Sequence, residues 1–126
     1  MINRNISTAI SAALFATVLL LTGLSAPAYA EKAADNYRLY CVQCHGSTGT
    51  GKGINAPFLA VQPRNHTSAK DMNELKDEEV FTAIKEGGAA VGKSTQMPPW
   101  SAALNDDEIH ALVKHLRGMC KCEGKK

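Results

Sequence analysis

The chain has 126 residues, of which 44% are hydrophobic and only 6% aromatic, with 14 Lys and Arg against 12 Asp and Glu. A formal net charge of +2, with no basic run interleaved with aromatics, argues against a nucleic-acid partner, and the length allows one small domain. All four cysteines fall in two close pairs, Cys41/Cys44 and Cys120/Cys122.

The first thirty residues do not read as folded protein. Arg4 gives a positive start, the stretch from Ile6 to Leu24 is almost wholly apolar or small, and Ala28-Tyr29-Ala30 is a small-x-small cleavage site. This is the layout of a secretory signal peptide over residues 1–30, with a retained membrane anchor as the alternative. No cysteine stands at the cleavage point, which argues against a lipoprotein anchor. The mature domain is then residues 31–126, ending in a basic, cysteine-containing tail at 119–126. A domain this short is marginal unless disulfides, a metal or a large cofactor add to its core. In an exported chain the cysteines are expected to be oxidised or occupied.

From Glu31 to about Cys44 the spacing of Ala33, Tyr37, Tyr40 and Cys41 predicts a helix that presents Cys41, Cys44 and His45 near its end. Gly46, Gly49, Gly51 and Gly53, followed by Pro57, then break the pattern into a loop. That loop lacks the preceding strand and the Lys-Ser/Thr step of a phosphate-binding loop. The stretch from Val61 to Leu75 reads as polar surface chain. Asp77 is placed as the cap of a second helix of about ten residues, with Val80, Phe81 and Ile84 as its apolar stripe and Gly87-Gly88 as its stop. Pro98 and Pro99 stiffen the irregular segment that follows. The last helix carries the clearest signals. Asn105 and Glu108 form a capping box, Leu104 and Ile109 a hydrophobic staple, and Ile109, Leu112, Val113 and Leu116 one stripe, with Gly118 expected to end it. No strand-like alternation and no internal repeat is evident. The expected fold is all-α: three helices, two long irregular loops and too few large apolar residues for a core, a deficit that a flat apolar cofactor between the loops would make good.

Residues 41–46 read Cys-Val-Gln-Cys-His-Gly. Cys-x-x-Cys-His is the sequence form of c-type haem attachment: two thiols spaced for the two vinyl groups and a histidine placed beneath the iron. A thioredoxin-like dithiol would need a strand before the motif, and here a helix precedes it. A structural zinc site would need two further ligands at matching spacing, and Cys-x-Cys at 120–122 is not the usual partner. The motif together with export selects one covalently attached haem c.

The sixth iron ligand should come from a distant loop. Met72, Met97, Met119, His66, His110 and His115 are the candidates. Met97 is favoured because it lies in the proline-stiffened segment Met97-Pro98-Pro99-Trp100, 52 residues beyond His45. His66 is its main competitor, read otherwise as an exposed loop histidine. Met72 reads as a surface or gap-filling residue, and His110 and His115 lie on the polar flank of the last helix. Histidine with methionine raises the reduction potential above that of bis-histidine ligation.

At this point the chain resembles a class I, monohaem, His/Met-ligated c-type cytochrome over residues 31–118. The resemblance implies the small cytochrome c fold, with N- and C-terminal helices crossing and a middle helix and long loops wrapping the haem. It implies that Cys41 and Cys44 form the thioethers and that His45 and Met97 are the proximal and distal iron ligands. It implies that the Pro57 carbonyl accepts a hydrogen bond from His45 Nδ1, and that Ala33 and Tyr37 lie at the helix crossing. His115 stands where the family commonly has an aromatic, which makes the crossing more polar or pH-sensitive. The tail "CKCEGKK" departs from the family pattern: Cys120 and Cys122 could join in a small ring, pair between chains or bind metal.

The function so implied is single-electron transfer by an exported, periplasmic, monomeric carrier between redox partner proteins, with no catalytic residue and no stable membrane insertion once the signal is cleaved. Trp100 is a candidate for packing the haem, and Lys52 and Lys93 for ringing its exposed edge. The alternatives are a ligand-binding or peroxidase-like haem protein with a labile distal methionine, or a dedicated haem subunit of a larger oxidoreductase.

Overall fold

The computed structural model describes residues 26–126. Most of the expected signal peptide, residues 1–25, lies outside the described residues, and its last five residues form the first turn of a helix. Five α-helices follow in chain order: α1 (Ala26–Tyr40), α2 (Val42–His45), α3 (Ala69–Asn73), α4 (Asp77–Glu86) and α5 (Asp106–Cys120). Two 3-10 turns, Ala56–Phe58 and Gly88–Val91, punctuate the loops. Among the described residues there is no strand, and no helix is long and apolar enough to cross a membrane.

The core forms where α1 crosses α5. Ala33 and Tyr37 of α1 are 1% and 2% exposed and meet a stripe of Ile109, Leu112, Val113 and Leu116 on α5. The stripe exists because these positions recur at three- and four-residue spacing on one helical face. At the start of α5 the Asn105 side chain accepts from the Glu108 backbone N–H at 3.0 Å. Glu108 Oε2 in turn accepts from the Asn105 backbone N–H at 2.9 Å. Leu104 and Ile109 are buried beside this box, as the staple requires. Lys32 and Glu108 tie the two helices across the surface at 2.8 Å.

Several local expectations are corrected. The first helix does not run unbroken to Cys44: it ends at Tyr40, and after a turn at Cys41 a separate single turn, Val42–His45, carries the motif. Asp77 is the first residue of α4 and not its cap; Lys76 takes the cap position, and its backbone N–H donates to Glu79 Oε2 at 2.8 Å. Asp77 is drawn instead into an ion pair with Arg117 at 2.8 Å. Gly118 does not end α5, which continues to Cys120 and turns at Lys121 in the left-handed region, φ 52°. The stretch read as polar surface chain contains α3, whose cap, Ser68, accepts from the Asp71 N–H at 3.3 Å. Its Met72 is 1% exposed and packed in the core, which agrees with the gap-filling reading and not with the surface one.

At the crossing, the His115 ring lies 5.5 Å from the Tyr37 ring, between centroids. Partial burial pushes the His115 pKa below its ordinary 6.5. A buried neutral histidine gives stability that is fully present above the unfolded value and is lost as the pH falls below it, because the unfolded chain takes up the proton first. The denaturation midpoint of the native protein is therefore expected to fall more between pH 7 and pH 5 than that of a His115→Phe variant. Equal falls would remove His115 from the acid response.

Candidate functional site

The turn that carries the motif is fixed from both ends. The Cys41 N–H bonds the Tyr37 carbonyl at 2.9 Å, and the His45 N–H bonds the Cys41 carbonyl at 2.9 Å, so Cys41, Cys44 and His45 share one turn. The glycine loop folds back over this turn and satisfies its carbonyls. Asn55 N–H reaches Gln43 O at 2.9 Å, Gly53 N–H reaches Cys44 O at 3.0 Å, and Gly51 N–H reaches His45 O at 2.8 Å. Gly53 is required by that approach: a Cβ there would run into the Gln43 carbonyl and the Cys44 backbone.

Cys41, Cys44, His45, Met72, Met97 and Trp100 all line one cavity of about 570 Å³, within the size range of cofactor sites. Cys41 and Cys44 are free thiols at its edge. Burial pushes the Cys41 thiol up to about 12, the opposite of what a redox-active dithiol needs for its nucleophile. Cys120 and Cys122 are joined to each other, and no group of three or more His, Cys, Asp or Glu among the described residues is arranged to hold a metal ion. The dithiol and zinc readings therefore lose their support. Two thiols, an imidazole and a thioether around an apolar cavity fit a covalently attached haem.

His45 Nδ1 lies 3.0 Å from the Arg64 carbonyl. The ring's Nδ1–H donates to that oxygen, which fixes the tautomer and leaves Nε2 as the nitrogen free to ligate. The expected acceptor was Pro57, and this is a correction. Pro57 is exposed and is carried outward with Phe58, which is 83% exposed, while Ala56 before it is buried. The chain returns to the histidine only at Pro63-Arg64. The Arg64 carbonyl opposes the burial that pushes the His45 pKa down.

His66 is not an exposed loop histidine. It is 8% exposed, its ring stacks on His45 with centroids 4.1 Å apart and planes 17° apart, and its Nδ1 lies 3.1 Å from the Tyr37 hydroxyl. Burial pushes its pKa down to about 3, so it is neutral. Stacked face to face with His45, His66 would not be placed to hold the same iron from the opposite side. His110 stacks on Phe81 at 4.4 Å and His115 packs on Tyr37; neither lines the cavity. Met119 lies against Gly49, also away from the cavity. Lys93 lines the cavity rim, and Lys52 is exposed but does not line it.

The Met97 loop is held by backbone geometry. Gly88 N–H donates to the Met97 carbonyl at 3.0 Å, and the Trp100 N–H donates to Ile84 O at 3.0 Å. Gly87 adopts φ 86°, ψ 166°, a region open essentially to glycine alone, and a Cβ there would sit 2.9 Å from Met97 O. A Gly87→Ala substitution is expected to cost about 1–3 kcal/mol of stability through that strain, read as a lowered denaturation midpoint. An unchanged midpoint would show that the loop relaxes freely.

An all-helical fold whose terminal helices cross beside a Cys-x-x-Cys-His turn, with a methionine loop reaching the same cavity, is that of a class I c-type cytochrome. The chain belongs to the family described as cytochrome C oxidase, cbb3-type, subunit III, whose model matches residues 28–116. The fold is similar to a chain of the Kuenenia stuttgartiensis reducing HAO-like protein complex Kustc0457/Kustc0458. That similarity has a TM-score of 0.58 and 26% identity and covers 71% of this chain but only 41% of that one. It is also similar to the KustC0563 c-type cytochrome, with a TM-score of 0.55 and 26% identity, over 69% of this chain and 95% of that one. No curated protein matches the sequence. Membership in this c-type cytochrome family implies covalently bound haem c, and the single Cys-x-x-Cys-His turn, the cavity and its donors fit one such group.

Proposed function

We propose that the protein is an exported monohaem electron carrier, not an enzyme, in which Cys41 and Cys44 form the thioethers and His45 and Met97 ligate the iron. The observation that carries the reading is the convergence on one cavity of the free Cys41/Cys44 pair, the His45 ring and the Met97 loop. The haem supplies a one-electron couple. The chain's residues hold and tune it. Arg64 sets the His45 tautomer through its carbonyl, Gly87 and Gly88 hold the Met97 loop, and Tyr40 and Trp100 pack at 5.0 Å beside the cavity. With His45 and Met97 both holding the iron, no open position would remain for substrate, and the protein's part would be binding, orientation and electrostatics. Neither His110 nor His115 lines the cavity, and His66, which does, is stacked on His45 and held at the Tyr37 hydroxyl, on the side of the proximal ring. The ferrous holoprotein at neutral pH is expected to bind carbon monoxide poorly; ready binding would favour the labile-methionine alternative.

A second reading, a dedicated haem subunit of a larger oxidoreductase, is favoured by the family description and by the neighbour that belongs to a protein complex. Copurification from the native host separates the two. A stable stoichiometric partner supports the subunit, and a monomer that exchanges electrons with several partners supports the carrier.

A further inference from the structure

The second cysteine pair lies outside the haem cavity and plays no part in the reading above. Cys120 and Cys122 form a disulfide at a sequence separation of 2, across the left-handed turn at Lys121. A loop this short removes little conformational entropy from the unfolded chain, so entropic stabilisation is a weak reason for the bond.

The surroundings of the two sulfurs differ. Cys120 is 4% exposed, and its Sγ lies 3.3 Å from the Arg117 carbonyl. A disulfide sulfur has no proton to give that oxygen, whereas a thiol at the same place would donate to it. Cys122 is only half-buried, and its Sγ lies 3.8 Å from Arg117 Nη1. That guanidinium is fixed: Nη1 donates to Met72 O at 2.6 Å, Nη2 to Leu75 O at 2.8 Å, and Nε to Asp77 Oδ1 at 2.8 Å. A guanidinium beside a cysteine favours the thiolate. Each sulfur therefore already faces the partner its reduced form would want: an acceptor for the Cys120 thiol and a cation for a Cys122 thiolate.

The geometry points to a thiol–disulfide exchange site at Cys120–Cys122, reduced by an external dithiol, with Arg117 as the positioning residue that stabilises the Cys122 thiolate. One thiolate of the dithiol attacks the Sγ of Cys122, the less buried of the two cysteines. The Cys120–Cys122 bond breaks, and its electron pair leaves on Cys120, which takes up a proton and donates to the Arg117 carbonyl. The second thiolate of the dithiol then attacks its own sulfur in the mixed disulfide and expels the Cys122 thiolate against Arg117. Two electrons pass to the cysteine pair, and the dithiol becomes a disulfide.

The test uses the anaerobic, ascorbate-reduced holoprotein, so that the iron is already ferrous and takes no electron from thiols. Equilibration at pH 7 across a series of dithiothreitol redox buffers, alkylation and mass analysis give the reduced fraction. Haem absorbance and circular dichroism verify that the protein stays folded. The pair is expected to reduce in the folded protein, and when glutathione replaces dithiothreitol as the reductant the trapped glutathione adduct is expected on Cys122. Arg117→Gln is expected to shift the equilibrium about tenfold toward the disulfide, by loss of thiolate stabilisation. Arg117→Lys is expected to restore most of it. Asp77→Asn breaks the same ion pair but keeps the guanidinium, and is expected to leave the equilibrium unmoved. Reduction only after denaturation, a glutathione adduct on Cys120, or a shift in Asp77→Asn equal to that in Arg117→Gln would each overturn the assignment.

Discussion

Replacing Met97 by alanine is expected to leave the haem attached and to lower the reduction potential by on the order of 0.1–0.3 V, part of the roughly 0.8 V range that axial ligation commands. The direction follows from chemistry. A thioether favours ferrous iron, and its loss to water or to a nitrogen ligand favours ferric. The attachment survives because the thioethers come from a different segment, Cys41 and Cys44. Two controls make the result specific. Met72 also lines the cavity, but it is 1% exposed and packed in the core with Val80 and Leu112. A Met72→Leu change nearly conserves volume, is expected to cost less than about 1.5 kcal/mol, and should leave the potential close to native. A His66→Ala variant removes the ring stacked on His45 and is expected to keep the native distal ligand. If it produces the large drop in place of Met97→Ala, the distal assignment is wrong. Potentiometric titration of the three variants reads the outcome.

Replacing Cys44 by alanine is expected to give the second large effect, on maturation. One thioether is lost, so the yield of covalently loaded protein should fall several-fold, and the alkaline pyridine spectrum of the loaded protein should show one unsaturated side chain retained. The consequence reaches stability as well. The cavity of about 570 Å³ is bounded by Met72, Ile84, Leu104, Leu112 and Leu116, which are also core residues, so a chain that fails to load leaves apolar walls in water. Small domains have little core to spare. The unloaded fraction is therefore expected to be less resistant to proteolysis than the loaded one. Normal covalent incorporation in Cys44→Ala would contradict the two-thioether arrangement.

The parts of this molecule that could be read in advance are those whose partners are close in sequence. The Cys41–His45 turn, the Asn105/Glu108 box and the Leu104/Ile109 staple each close within a few residues, and the structure shows the local hydrogen bonds and burial they imply. The same rule would have found α3, since Ser68 stands three residues before Asp71 just ahead of a buried methionine. Polar composition hid it. What could not be read is what the loops do to one another. His66 is buried because the chain returns past the glycine loop, where its N–H bonds Gly49 O at 2.7 Å and its ring meets Tyr37 and His45. Arg64 supplies the carbonyl assigned to Pro57 because Pro57 faces outward and the chain comes back to the histidine seven residues further on. No local pattern in the sequence singles out Arg117, which ties the last helix to the carbonyls of Met72 and Leu75.

If His45 and Met97 together hold the haem iron, the ferric holoprotein at neutral pH is expected to show the absorption band near the red edge of the visible spectrum that sulfur–iron ligation gives. The band is expected to persist in Met72→Leu and to vanish in Met97→Ala. A ferric protein without the band, or a Met97→Ala variant that keeps it, would contradict ligation by Met97.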